Sequence, residues 1–556
     1  MHYVRIIKFL LGGTMNIKKI IREFIQQSAI TLSSKFVTSF VRISPEKNFD
    51  RVMKAIGILA KSFSNPKPFI GFMGWLKSKP GTRQWFINLM LKDKGQASNI
   101  IKILFGNCSL KWIEKSKELQ AKHGLTSPYC VLISPTMNCN LKCKGCYANG
   151  YDKGIKDDMP IETVDSIITQ GKELGTYFYT ILGGEPFVRF DIIEKMAAKH
   201  SDCIFQVFTN GTLIKEETAD RIAELKNIIV VFSVNGDKEE VDYMRGKGVY
   251  EKVIASMERL NRRNLMMGMS LVLTSRNYDL MTSTKFYNEW EKRGIMFAWN
   301  FLFMPVSKNA DLSLMPTPEQ RVTYGEFIKE YREQNPLFIM DFWADAPAVH
   351  GCAAGGRRYL HINNKGDVEP CIFAHFSTHN INTHTLLEAL KSPFFTAIRQ
   401  HQPHTDNLLR PCMIIDNPEV IRTICKKHNA VPTDEGARDL IENPDVINRL
   451  NEYAKNLAPV VDKVWNEKYS GNINDILNRC VSYPEGLDRI SYRLDRISYM
   501  ERIIEISNHD PANAARVLEE VSDAHGKYGS NTDVHTKLGE SRETDQDNYV
   551  LSPSVN

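Results

Sequence analysis

The chain has 556 residues, 42% of them hydrophobic and 24% charged, which fits soluble globular proteins and excludes collagen-like, mucin-like and wholly disordered chains. Its 71 basic and 65 acidic residues leave a net charge of +6, too slight to argue for nucleic acid. Eleven cysteines, an odd number with one tight cluster, argue against a disulfide framework and for a reduced, cytoplasmic setting in which they bind metal or react.

The first 40 residues are basic and apolar, with Arg5, Lys8, Lys18, Lys19, Arg22 and Lys35 against Glu23 alone. The run Ile6 to Leu11 is interrupted by Lys8 and followed by Gly12-Gly13, a poor signal peptide, and Met15 offers an alternative start. Ile17, Ile20, Ile21, Phe24 and Ile25 recur at helical spacing opposite a basic face. Such a helix either packs on its own domain or lies peripherally on an anionic membrane surface. The aromatic stretch Phe69 to Leu91, with Trp75 and Trp85, reads as a core helix pair rather than an interfacial surface. Residues 1–128 are therefore expected to form a helical N-terminal region. No apolar stretch in the chain approaches the roughly 18 residues a spanning helix needs.

From about Tyr129 the texture changes. Strand-like runs at Cys130–Ser134, Tyr177–Leu182, Ile204–Phe208, Ile228–Val234, Met269–Thr274 and Phe297–Met304 alternate with helical patterns. The helices are predicted at Ile161–Leu174, Ile192–Lys199, Glu216–Leu225, Val249–Arg262 and Met281–Arg293. This alternation predicts βαβ units on a parallel sheet. Six units give an α/β fold of the partial (β/α)6, TIM-like barrel kind over 129–335, with chemistry at the carboxyl ends of the strands. Loop-rich, cysteine-bearing sequence follows from Asp341 to Cys425, then helices, forming a small extension over 336–470. Residues 471–556 are expected to hold a helical segment and a tail. There LDRISYR (Leu487–Arg493) is nearly repeated as LDRISYM (Leu494–Met500), and from about Gly526 polar sequence predicts disorder.

Cys139, Cys143 and Cys146 stand in NCNLKCKGCY directly after the first strand. The C-x3-C-x2-C spacing places three thiolates on one loop, and three ligands leave one coordination position open for chemistry. A structural zinc site needs a fourth ligand, and of the neighbours His123 and Cys130 the latter lies within the strand. This loop is similar to the signature of radical S-adenosylmethionine (radical SAM) enzymes, and the likeness extends further. After the second strand comes Gly183-Gly184-Glu185-Pro186, resembling the family's GGEP motif beside the SAM amino group. After the third comes Thr209-Asn210-Gly211-Thr212; Ser233 ends the fourth, where a family serine meets the ribose; Arg245 matches an arginine that pairs with the SAM carboxylate. Many members carry an aromatic residue or histidine just before the third cysteine. Here that position is Gly145, which makes Tyr147 the substitute candidate for the adenine.

Cys352 and Cys371 form C-x13-G-x4-C with Gly366, resembling the opening of SPASM and twitch extensions, which bind auxiliary [4Fe–4S] clusters. Tyr359–Ile362, the turn Asn364–Asp367 and Val368 onward read as a hairpin with a cysteine on each side. No C-x2-C follows Cys412, so the resemblance implies one auxiliary cluster on Cys352, Cys371 and Cys412. Cys425 is a fourth candidate, or else a core residue of a helix. Cys108, Cys130, Cys203 and Cys480 read as small core residues.

The resemblance implies that a [4Fe–4S] cluster on Cys139, Cys143 and Cys146 donates an electron to SAM. The resulting 5′-deoxyadenosyl radical abstracts hydrogen from a substrate. An electron donor such as ferredoxin or flavodoxin is implied with it. Asp341 and Asp345, just before Cys352, are candidates to take a substrate proton, their alternative role being that of caps or solvated charges. Enzymes with such extensions modify peptides or proteins, the expected substrate class. A lipid or isoprenoid chain is the alternative, and a non-catalytic iron–sulfur scaffold conflicts with the intact set Gly183, Gly184, Ser233 and Arg245.

Overall fold

Near-continuous apolar runs make the central strands. Ile204–Thr209 and Ile228–Ser233 are buried along almost their whole length, as strands are when covered on both faces of a parallel sheet. The computed structural model describes residues 34–35, 37–60, 74, 79–151 and 158–469. The basic helix expected at 17–25, Met15, most of 69–78, Cys480, the duplicated heptad and the tail lie outside the described residues.

Helices α1 Pro45–Ala60, α2 Pro80–Leu91, α3 Lys94–Lys102 and α4 Trp112–His123 come first. The alternating part runs β1 Cys130–Thr136, α5 Ile161–Leu174, β2 Phe178–Gly183, α6 Phe190–Lys199, β3 Ile204–Thr209, α7 Glu216–Leu225 and β4 Ile228–Ser233. It continues through α8 Lys238–Arg245, α9 Val249–Arg262, β5 Met267–Leu273, α10 Thr284–Lys292, β6 Ile295–Leu302, α11 Pro318–Gln334 and β7 Phe338–Asp341. The extension holds β8 Tyr359–Ile362, β9 Val368–Glu369, β10 Phe376–Ser377, α12 Leu386–Lys391, α13 Pro393–Gln400, α14 Pro418–His428, β11 Val431–Pro432, α15 Glu435–Glu442 and α16 Pro444–Lys468.

The main sheet runs β7-β6-β5-β4-β3-β2-β1-β8-β9, with β1 to β7 parallel to their neighbours. Two expectations change. The barrel has a seventh parallel strand, β7, a four-residue run too short to stand out in sequence. The helix expected at Met281–Arg293 is a short turn at Tyr278–Met281 followed by α10, because Ser283 is extended. The predicted hairpin is present, His361 facing Glu369 across β8 and β9. Its first strand also pairs in parallel with β1, from Cys130↔Tyr359 to Ile133↔Ile362. The extension therefore continues the barrel's own sheet.

The N-terminal helices close the amino end of the barrel. Gln96 of α3 donates to Ile228 O and accepts from Met266 N–H, at the starts of β4 and β5. Asn107 donates to Asp202 O before β3. Ile100, Ile103 and Phe86 share an apolar cluster with Ile204, Ile229, Val231 and Phe297, and Trp85 packs on Phe338 at 5.3 Å. The described part of the aromatic stretch is thus core, burial worth about 1.5–3 kcal/mol per large side chain. The opposite end, where the strands' carboxyl ends open, is left for chemistry. Among the described residues no helix is long and apolar enough to cross a membrane.

Candidate functional site

Pairing of β1 with β2 shifts register between Ile133 and Thr136, and the chain then leaves the sheet into the loop carrying Cys139, Cys143 and Cys146, all half-buried. The loop is tied on several sides. Lys144 N–H donates to Met244 O at 2.8 Å. Asn210, after β3, donates to Asn140 Oδ1 at 2.8 Å, its amide nitrogen standing 3.8 Å from Cys139 Sγ. Gly145 has φ +64°, and a Cβ there would sit 2.5 Å from the Phe303 ring just beyond β6. The residue before the third cysteine is glycine because the far side of the barrel packs against it.

The Gly183–Pro186 segment runs close against the backbone that enters the cysteine loop. A Cβ at Gly183 would lie 2.3 Å from Thr136 O, and one at Gly184 2.3 Å from Asn138 O. These glycines let the backbone entering the cysteine loop cross the end of β2. Glu185 is fully buried. It accepts from Phe187 N–H (3.0 Å), Thr209 Oγ1–H (2.7 Å) and Asn210 N–H (2.7 Å), joining the ends of β2 and β3. Burial raises its pKa against these bonds and the nearby Arg245. Pro186 opens the short helix Pro186–Arg189. Tyr147 also takes up a structural post. Its hydroxyl donates to Gly183 O (2.9 Å) and accepts from Gly183 N–H (3.2 Å), and its ring meets Phe373 and His375. These two bonds, to both polar backbone groups of Gly183, tie the residue after the third cysteine to the end of β2.

Ser233 is half-buried at the end of β4, and its hydroxyl bonds to nothing among the described residues. Arg245 ends α8, donating from one terminal nitrogen to Asn235 Oδ1 at 3.1 Å, while its buried Nε has no partner.

The second cysteine set comes from three separate segments. Tyr359 Oη lies 3.1 Å from Cys371 Sγ, and burial and then the charges of Cys371, Cys352 and Cys412 all raise its pKa. Burial and then Cys352 push the Cys371 thiol up to about 12; burial, then Asp416 and also Cys352, raises Cys412. Cys425 stands apart in the buried face of α14, its thiol pushed up to about 12 by burial alone. The core reading of Cys425 is therefore the one its surroundings support. The Cys412 segment is fixed by a buried pair: Arg321 of α11 donates to Asp416 Oδ2 at 3.1 Å and to Leu409 O at 2.7 Å, and Asp416 accepts the Cys412 N–H at 2.9 Å.

A polar network lies between the two sets. Glu369 bonds His361 Nδ1 at 2.6 Å and accepts from Tyr151 Oη–H at 3.0 Å and Asn363 Nδ2–H at 2.9 Å. Ser134 of β1 meets His361 Nε2 at 2.7 Å. His375 bonds Asp434 through Nδ1 (2.7 Å) and Ile372 O through Nε2 (2.6 Å). With carboxylate and carbonyl oxygens at its two ring nitrogens, His375 is surrounded by groups that favour the imidazolium. Burial alone would lower the His375 pKa, but Asp434 and Glu369 raise it; burial would raise Glu369, but His361 and His375 hold it below the usual value.

Asp341 and Asp345 do not face this region as free acids. Asp341 is buried and accepts from Trp343 N–H (2.9 Å) and Ala344 N–H (2.7 Å), its pKa raised to about 6 chiefly by burial. Asp345 accepts from Asp341 N–H (2.9 Å) and Arg332 (2.8 Å). Both close the turn after β7, the cap role that is their alternative in sequence.

Four sulfurs share a geometry suited to thiolate. The amide two residues on donates to Cys139 Sγ from Leu141 (3.4 Å), to Cys352 from Ala354 (3.5 Å), to Cys371 from Phe373 (3.5 Å) and to Cys412 from Ile414 (3.4 Å). Among the described residues Cys108, Cys130, Cys203 and Cys425 show no bond from the amide two residues on, and neither does Cys143; Cys130 Sγ instead meets Thr180 Oγ1 at 3.4 Å. Amide donors stabilise negative sulfur and tune iron–sulfur centres, so all three sulfurs of the second set, and Cys139 of the first, sit in surroundings that fit cluster ligation. The unpartnered Arg245 Nε and the Ser233 hydroxyl fit a cofactor that brings a carboxylate and hydroxyls. No three His, Cys, Asp or Glu side chains among the described residues gather tightly enough for a single metal ion. That is compatible with a four-iron cluster, whose ligands bind separate irons. Sequence reasoning missed Tyr359, Asp416 and the Glu369–His375 network; the facing hairpin positions of His361 and Glu369 were the one available signal.

The Radical SAM superfamily model matches residues 133–282, and the SPASM model, an iron–sulfur cluster-binding domain, matches residues 352–413, spanning Cys352, Cys371 and Cys412 but not Cys425. Mycofactocin maturase MftC of Mycolicibacterium smegmatis is 28% identical over 270 residues, 46% of this chain and 67% of its own. Fe-coproporphyrin III synthase of Methanosarcina barkeri is 29% identical over 164 residues, 28% of this chain and 41% of its own. A crystal structure of Streptococcus suis SuiB bound to S-adenosylmethionine aligns with TM-score 0.46 at 20% identity, covering 61% of this chain and 81% of that one.

Proposed function

We propose, for an enzyme that carries a radical SAM domain followed by an iron–sulfur cluster-binding SPASM domain, that its substrate is a peptide or protein and that the residues described above divide the work. The two domains imply a [4Fe–4S] cluster, S-adenosylmethionine and auxiliary iron–sulfur ligation. When bound, these groups supply reductive cleavage of the sulfonium and hydrogen abstraction from the substrate. Cys139, Cys143 and Cys146 hold the first cluster. Arg245 takes the cofactor carboxylate with its unpartnered Nε, a pairing a guanidinium makes well. Ser233 meets the ribose, Asn210 supports Cys139, and Glu185 and Tyr147 hold the strand ends on which these groups stand. Cys352, Cys371 and Cys412 hold one auxiliary cluster.

The observation that carries this reading is the meeting of the cysteine loop with α8. The amide of Lys144, between two of the cysteines, bonds the carbonyl of Met244, next to Arg245. The peptide class is supported by the likeness to a maturase. A half-buried aromatic series also supports it: Trp299, Phe342, Phe301 and Phe373 pack in sequence at 5.4, 4.9 and 5.9 Å, an apolar wall beside the site. A lipid at a membrane is the weaker reading, since the described N-terminal helices bury their apolar faces on the barrel.

The test is anaerobic reconstitution with iron and sulfide, then SAM and dithionite, with 5′-deoxyadenosine measured by mass spectrometry. Failure of the reconstituted protein to form it sinks the reading. Incubation with host extract and comparative peptide and lipid mass spectrometry then settles the substrate class.

A further inference from the structure

On the loop between β10 and α12 two histidines meet that belong to neither cysteine set. The rings of His379 and His384 lie with their centroids 4.5 Å apart. Each Nδ1 is held by the threonine just before it, Thr378 Oγ1 at 3.0 Å and Thr383 Oγ1 at 2.9 Å. Neither Nε2 has a hydrogen-bond partner among the described residues; His379 is half-buried and His384 exposed. With Nδ1–H donated to a hydroxyl, Nε2 carries the lone pair, the form in which imidazole binds a metal ion. Two imidazoles bound side by side to one ion, at about 2.0–2.1 Å and angles of about 90–110°, set their centroids about 4.5–5.2 Å apart. The observed separation falls at the lower end of that range.

The backbone beneath the pair is built to hold it. His379 O accepts from Val368 N–H (2.9 Å) and Ser377 Oγ–H (2.8 Å), and its own N–H donates to Ser377 Oγ (3.2 Å). The His384 N–H donates to Asn380 O at 2.9 Å. Asn380 in turn donates to Asp367 Oδ1 (2.9 Å) and Lys365 O (3.0 Å) in the hairpin turn. Thr385, the next residue, caps α12 together with Glu388, and Leu386 N–H donates to Gln170 Oε1 of α5 at 2.8 Å. A ligand pair fixed beforehand loses little freedom on binding. Burial and then the His384 charge lower the His379 pKa, and the Glu388 carboxylate lies near enough for its charge to act on both rings.

We propose that Nε2 of His379 and Nε2 of His384 form a two-imidazole site for a borderline divalent transition-metal ion of the zinc kind. Imidazole suits zinc, copper and nickel, whereas the hard Mg2+ and Ca2+ prefer oxygen. Water fills the remaining coordination positions, and Glu388 supplies a neighbouring negative charge. The ion ties the end of β10 to the cap of α12, closing the loop that carries both ligands.

The probe is zinc chloride, added anaerobically to the full chain after reconstitution with iron and sulfide, so that cluster cysteines are already occupied. The chain carries no polyhistidine tag, and metal content after equilibrium dialysis is read by inductively coupled plasma mass spectrometry. Wild type should hold about one zinc per chain beyond its iron. His379→Ala/His384→Ala should weaken that binding more than about tenfold, the scale on which even an outer partner of a metal ligand counts, with iron unchanged. Labelling by diethyl pyrocarbonate, mapped by peptide mass spectrometry, gives a second reading. Zinc should protect His379 and His384 and leave the exposed His123 reactive, while magnesium chloride should protect none of them. Equal zinc in wild type and double variant, no zinc in wild type, or labelling of His384 indifferent to zinc overturns the site. Should the double variant also lose iron, His384→Gln at the exposed position decides: it must lose the zinc and keep the iron, and any other pattern overturns the proposal.

Discussion

Cys139, Cys143 and Cys146 occupy one short loop at the end of β1, fixed by neighbours on β2, β3, α8 and the end of β6. Cys352, Cys371 and Cys412 are brought together from the approach to β8, the end of the hairpin and the chain before α14. The first set is local in sequence and depends on a few backbone contacts. The second is assembled by tertiary packing and depends on a buried ion pair and a hairpin. Local chemistry survives much disturbance of the fold around it, whereas a site built from distant segments is only as firm as the contacts that gather them.

The largest test of this contrast is iron itself. Two four-iron clusters predict about eight irons per chain. Cys143→Ala and Cys371→Ala should each fall to about four, and only the first should abolish 5′-deoxyadenosine outright. Cys425→Ala should keep the full iron content. A loss of iron in that variant would restore Cys425 as a ligand and undo the three-cysteine reading.

Next comes the pair that anchors Cys412. Asp416→Asn leaves Arg321 buried with a neutral partner, and breaking a buried pair costs about 3–5 kcal/mol. We expect a matching loss in chemical denaturation and weakened auxiliary-cluster loading, with the Cys139–Cys146 cluster still formed. Arg321→Met/Asp416→Leu, which removes both charges, should recover much of the stability but not the anchor on the Cys412 amide. Equal loss of both clusters in Asp416→Asn would mean that the two sets do not differ in the way described.

This division also explains what could be read from sequence. The helix Ile161–Leu174, the strands around Ile204 and Ile228 and the three-cysteine loop follow from period, burial and spacing, all local properties. β7 is four residues long, and the pairing of β8 with β1 joins residues more than two hundred apart, so neither leaves a local trace. The same holds at the site. Cys352, Cys371 and Cys412 were legible as a spacing, but Tyr359, Asp416 and the His375–Asp434 pair that support them were not. Gly183 and Gly184 were singled out by residue type, but the close approach of the Thr136 and Asn138 carbonyls that they accommodate is a fact of packing.

The raised pKa of Asp341 gives a smaller effect. Burial moves it from 3.8 to about 6, so the folded chain holds a proton that the unfolded chain has released. Its contribution favours folding below pH 4 and is lost as pH rises toward 6, by about 3 kcal/mol. Asp341→Asn keeps an oxygen for the Trp343 and Ala344 amides and removes the titration. Stability of wild type relative to this variant should therefore fall by about 2–3 kcal/mol between pH 4 and pH 7. A difference constant across that range would show that the carboxyl is not held in this way.

The smallest effect returns to the seam between the two cysteine sets. Tyr147 follows Cys146 directly, bonds both polar groups of Gly183 and rests its ring on Phe373, whose amide supports Cys371 Sγ. Tyr147→Phe keeps the ring contacts and removes the hydroxyl, at a cost of about 0.5–1.5 kcal/mol. Iron content should not change, and neither should the KM for SAM, because a staple holds the loop without touching the cofactor. A markedly raised KM at unchanged stability would assign the residue to the adenine after all. The local loop would then carry its own cofactor contact, and its independence from the second set would be greater than the packing suggests.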